Sequence, residues 1–175
     1  QTVEEIPEKI QTKIMKATSK YSKIANELDS TFPQRLFAQK VGLTQYEFNT
    51  KLSLMREKVS KLQKFGISNM VRIDDIQFKE EDARALKVYF DDIEKKYQPY
   101  EELISSLEMF TEIVNGRFQF KKIQISINNG IIICDGNNNI PLLKLSSGEK
   151  ETLVLFYQLI FEVSEDSLIL IDEPE

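Results

Sequence analysis

Apolar positions in the first two thirds of the chain repeat at helical spacing. Beyond Pro7, Ile10, Ile14, Ala17, Tyr21, Ile24 and Leu28 fall at alternating steps of four and three, an a/d seam over nearly three heptads. Asp29-Ser30-Thr31-Phe32-Pro33 then places three cap-type residues ahead of a proline suited to a first helical turn. This predicts a break and a short helix Pro33–Lys40 ended by Gly42. Thr44 and Glu47 form a capping-box pattern that opens a helix to about Phe65, with Leu52, Met55, Val59 and Leu62 on its inner face. Gly66 stands where a left-handed C-terminal residue is expected. Residues 67–79 are less regular and read as a connection. A helix from about Glu80 carries Leu86, Phe90, Ile93 and Tyr97 and is expected to stop before Pro99, with another from Tyr100 to about Val114. This half reads as antiparallel, hairpin-like helices with Lys and Glu mixed on the outside.

At Gly116 the period changes to two. Phe118 and Phe120 alternate with polar residues, as do Ile123, Ile125 and Ile127. Asn128-Asn129-Gly130 is a turn signal, so 123–127 and 131–134 are expected to form a hairpin. Residues 135–139 make a second turn leading into 140–145. Ser146 and Glu149 repeat the capping-box spacing ahead of a helix-length apolar segment, 151–162. Finally Leu168–Ile171 is a four-residue apolar run ending in Asp172 and Glu173, the pattern of a buried strand emerging at its C-terminal edge. The fold class expected is α+β.

Composition narrows the chemistry. With no histidine and a single cysteine, imidazole bases and soft metal sites are removed, which leaves oxygen-ligated cations such as Mg²⁺. Cys134 ends an apolar strand and reads as core. No apolar run approaches the roughly 18 residues needed to cross a bilayer. The acidic start QTVEEIPEK has no signal-peptide core. No membrane partner and a reducing, cytoplasmic location are therefore expected. The chain begins without Met and ends at Glu175, just past an apolar run, so it reads as a piece of something longer.

The net charge of −5 argues against a whole-molecule grip on nucleic acid, yet one stripe is locally basic. Lys9, Lys13, Lys16, Lys20 and Lys23 share heptad spacing, with no acidic residue between Lys9 and Glu27. Two readings stand: a solvated flank whose stems cover the seam, or a DNA contact with strong salt dependence.

Around Ser146, two hydroxyls and a glycine at a helix start allow free N–H groups to approach an anion. An ordinary helix cap explains the same residues. The Asp172-Glu173 pair has similar duality: it is a common way to end a strand, or one carboxylate to hold Mg²⁺ and one to orient water.

Taken together, Leu145-Ser146-Ser147-Gly148-Glu149-Lys150 followed by Leu168–Glu173 resembles the second half of an ABC-type ATPase domain, with a signature motif and then a Walker B strand. The flavour is closest to the SMC, RecF and OLD-like group, and to ABC ATPases of bacterial anti-phage systems of the Septu and retron-associated types. Leu28-Asp-Ser-Thr-Phe-Pro-Gln-Arg-Leu36 also looks like that group. The resemblance implies a helical insertion over 1–112 and part of the ATPase lobe over 113–175. Asp172 would help hold Mg²⁺ and Glu173 would be the catalytic carboxylate. The signature, Ser146, Ser147, Gly148, Glu149 and Lys150, would meet ATP bound to the opposite protomer of a homodimer, Ser146 having a structural cap role open to it. A nuclease partner or DNA, in phage defence or DNA maintenance, is also implied.

The departures are specific. No G-x-x-x-x-G-K-[ST] occurs, no adenine-stacking aromatic or Q-loop is identifiable, and the switch histidine is missing. Truncation explains these most simply, so the chain alone is expected neither to bind ATP tightly nor to hydrolyse it. The alternatives are a helical interaction module with vestigial motifs, and a transporter ATPase subunit. The latter is disfavoured because Ser147-Gly148-Glu149 stands where Gly-Gly-Gln is usual.

Overall fold

The computed structural model describes residues 2–67 and 76–163. The expected strand at 168–171, with Asp172 and Glu173, lies outside the described residues.

Helices α1 (Ile6–Ala38), α2 (Gln45–Lys64) and α3 (Ala83–Arg117) precede a three-stranded antiparallel sheet and helix α4 (Ser147–Phe161). The strands are β1 (Lys122–Ser126), β2 (Gly130–Asp135) and β3 (Asn138–Ile140), in the order β1-β2-β3. The chain is therefore α+β, as its change of period predicts.

The first helical expectation to fail is the pair of proline breaks. Pro33 lies inside α1 and Pro99 inside α3, each a single helix of 33 and 35 residues respectively. A helical proline leaves the carbonyl four residues earlier without its donor and costs about 3 kcal/mol. Around Pro33, the cap-type residues turn inward instead of capping. Ser30 and Thr31 hydroxyls donate to the Glu27 carbonyl at 2.9 Å each, and Arg35 donates to the Leu28 carbonyl at 2.7 Å. At Pro99 the apolar stripe continues across the proline: Tyr97, Tyr100, Ile104, Leu107 and Phe110 are all buried in one core. Each such side chain contributes about 1.5–3 kcal/mol, so together they outweigh the proline.

Direction is the second correction. Tyr100 donates to Thr18, and Arg35 meets Asp92, so α1 and α3 are antiparallel. Lys51 pairs with Asp91 and Glu94, Lys58 with Glu101, and Lys61 with Glu108, so α2 and α3 run the same way. Helix α3 is the shared element, touching α1, α2, α4 and β1.

Two cores result. The larger joins the N-terminal half of α1 and the C-terminal half of α3 to Ile123, Ile125, Ile131, Ile133, Leu153 and Tyr157, with residues from both sides of position 113. The smaller, at the other end of α3, holds Leu43, Phe48, Leu52, Met55, Phe90 and Ile93. The expected hairpin forms, with Ile123 opposite Ile133 and Ile125 opposite Ile131. Gly130 has φ +66, and a Cβ there would collide with the Pro7 carbonyl, so the turn needs glycine for both reasons.

Three smaller expectations change. Phe118 and Phe120 belong to no strand: Phe118 is the buried C-cap of α3, and Phe120 is 81% exposed. Asn138 and Asn139 leave the turn to pair with Asp135 and Cys134. Cys134 is only half-buried, because the alternation that turns Ile131 and Ile133 inward turns it to the outer face, where its Sγ sits 3.5 Å from Asn139 Oδ1.

Candidate functional site

The start of α4 is built from a reciprocal cap. Ser146 Oγ accepts from the Glu149 N–H at 3.3 Å, and Glu149 Oε2 accepts from the Ser146 N–H at 2.8 Å. Leu145, buried in the larger core, anchors the turn before it. Ser147 and Gly148 project into solvent. A Cβ at Gly148 would meet nothing within 4 Å, so no packing within the described residues calls for glycine there. A glycine inside a helix costs roughly 0.5–1 kcal/mol relative to alanine. Its presence leaves the backbone open on the solvent side, with no packing gain among the described residues.

Lys121 adds what the sequence pattern did not disclose. Its ammonium donates to both Glu149 carboxylate oxygens, at 2.9 and 2.8 Å, tying the segment before β1 to the cap. Burial pushes the Glu149 carboxyl up, but the Lys121 ammonium and the Ser146 N–H and hydroxyl outweigh it and hold the group below its usual range. Lys121 lies 28 residues from Glu149 and carried no local signal. Lys150 is half-buried on the first turn.

The other end of α4 is held by α1. Lys13 donates to the Phe161 carbonyl at 3.3 Å and lies over the Phe161 ring. Lys9 pairs with Glu162 at 3.1 Å and lies over Tyr157. Cations at a helix C-terminus complement its dipole. Tyr157 and Phe161 stack on one another, and both meet the edge or face of Phe110 on α3. Burial, with the Glu162 carboxylate, pushes the Tyr157 phenol up to about 12.

The lysine stripe thus divides. Lys9 and Lys13 dock α4, whereas Lys16, Lys20 and Lys23 are exposed. Lys16 and Lys20 border a groove of about 290 Å³ whose opposite wall includes Pro99 and Glu102 of α3 and Phe161 of α4. Asp172 and Glu173 lie outside the described residues.

Comparison with family models, curated proteins and solved structures finds no match. Among the described residues, no helix is long and apolar enough to cross a membrane.

Proposed function

We propose that the chain carries the helical arm and the signature half of an ABC-type, SMC-like ATPase. Such an ATPase acts with nucleic acid or a nuclease partner, in phage defence or DNA maintenance. The single observation that supports this most is the start of α4. A doubly bonded cap fixes the helix terminus while Ser147 and Gly148 stay open to solvent, Gly148 with no neighbour among the described residues that calls for glycine.

In this reading the first-turn N–H groups and the Ser147 hydroxyl receive the γ-phosphate of ATP held by a second protomer. Glu149 holds the cap, and Lys121 holds Glu149. Asp172 holds Mg²⁺ and Glu173 orients the attacking water. A phosphate-cradling loop must come from sequence other than these 175 residues, which contain none.

The test is ATP turnover of the chain within its native reading frame, beside the chain alone. Mg²⁺-dependent hydrolysis in the first, lost in Glu173→Gln, and none in the second is the expected result. Ser147→Arg should abolish ATP-dependent dimerisation seen by light scattering. Turnover that ignores Glu173→Gln, or none in the native frame, overturns the reading.

A further inference from the structure

The outer edge of β1 is covered at two points and open between them. Asn115 of α3 treats Ile123 as a neighbouring strand would: its Oδ1 accepts from the Ile123 N–H at 2.7 Å and its Nδ2 donates to the Ile123 carbonyl at 3.2 Å. Four residues on, the Ile127 N–H donates to the Phe65 carbonyl at the end of α2, at 3.2 Å. In an antiparallel pair, alternate residues direct both backbone groups away from the partner strand. Ile123 and Ile127 face outward, so Ile125 between them does too. Among the described residues nothing bonds the Ile125 N–H or carbonyl.

That gap opens on a cleft of about 620 Å³ whose walls include Phe65 and Lys64 of α2, Thr111 of α3, and Lys122, Gln124 and Ile132 of the sheet. Among the described residues its lining holds two lysines and no carboxylate, in a chain whose net charge is −5. Lys122 is exposed, and Lys64 reaches Glu108 only at 3.9 Å. The cleft therefore offers a backbone donor–acceptor pair, an apolar floor and two cations with reach to spare. An extended peptide supplies the matching backbone groups, and the charge selects an acidic one.

We propose that this cleft takes a short extended acidic segment of a partner protein, about three residues fitting between Asn115 and Phe65, the central one paired backbone to backbone with Ile125 and the carboxylates beside it reaching Lys64 and Lys122. The proposal is independent of the ATPase reading.

The probe is a fluorophore-labelled, end-blocked tripeptide Glu-Val-Glu, short enough to lie between Asn115 and Phe65, titrated into the full chain by fluorescence anisotropy, with Ile125 amide exchange followed by NMR. Binding should slow exchange at Ile125. The same peptide N-methylated at its central residue should not bind, and its Lys/Val counterpart should bind about tenfold more weakly or less. The double variant Lys64→Glu/Lys122→Glu should remove the preference for the acidic peptide while leaving the far-ultraviolet spectrum unchanged. An Ile125 amide already protected in the free chain, no binding of the acidic peptide, or equal binding of the acidic and basic peptides overturns the proposal.

Discussion

Arg35 of α1 and Asp92 of α3 form a two-pronged ion pair across the helix interface, with Nη1 on Oδ1 and Nη2 on Oδ2 at 2.7 Å. Nη2 also donates to the Leu28 carbonyl, and Nε to Thr31 Oγ1 at 3.1 Å. The Asp92 side chain is only 7% exposed. Removing one partner of such a pair leaves the other charge without compensation. Asp92→Ala should therefore cost about 3 kcal/mol in urea unfolding. Arg35→Lys keeps the charge but loses the fork and should cost about 1–2 kcal/mol. The double replacement Arg35→Met/Asp92→Leu should lose clearly less than the two single deletions added together, since it leaves no orphaned charge.

The β1–β2 turn supplies a second prediction. Gly130 combines φ +66 with direct contact to the Pro7 carbonyl. Alanine there meets both a backbone penalty and a clash with main-chain atoms that cannot swing aside. Gly130→Ala should destabilise the chain by about 2 kcal/mol or more, whereas Gly148→Ala, whose Cβ faces open space, should be neutral or slightly stabilising. Thermal melts of the two variants side by side check this, and equal melting temperatures would contradict the close approach.

What could be read from the sequence follows from how local each signal is. Both capping boxes, Thr44–Glu47 and Ser146–Glu149, form as spaced, because their partners lie within one turn. The hairpin at Asn128-Asn129-Gly130 is equally local and forms as expected. Pro33 and Pro99 misled because the preference of a proline is also local, while the burial that overrides it joins α1, α3 and the sheet across the chain. The same limit hid Lys121 beneath Glu149 and Asn115 beside Ile123. It also hid the splitting of the lysine stripe, since even spacing along α1 says nothing of where α4 will dock.

Acid sensitivity should report the cap of α4. The Glu149 carboxyl is held below its usual range, so it binds a proton less readily folded than unfolded. Its contribution is present above the unfolded value near 4.5 and is lost as pH falls through the lower folded value. Stability should therefore drop below about pH 4.5, more steeply in the native chain than in Glu149→Gln. Lys121→Met should flatten the same limb by removing the ammonium that opposes burial. Melting temperatures between pH 3 and 6 test it; parallel profiles for native and Glu149→Gln proteins would show that other carboxylates set the acid limit.

The division of the lysine stripe gives opposite outcomes for its two halves. Lys9 and Lys13 end on the C-terminus of α4, so Lys9→Glu/Lys13→Glu places like charge beside Glu162 and an acidic group at the negative end of the helix dipole. That variant should melt earlier, by an amount equivalent to about 1–2 kcal/mol. Lys16, Lys20 and Lys23 make no ion pair among the described residues. Their triple reversal to Glu should leave the melting temperature nearly unchanged. If the exposed half grips duplex DNA, that reversal should weaken binding and reduce the slope of log affinity against log salt by roughly 0.9 for each phosphate no longer neutralised. An unchanged slope with unchanged affinity would make the outer three lysines a solvated flank. A change produced only by the Lys9 and Lys13 variant would trace the effect to the position of α4 instead of to a grip on phosphate.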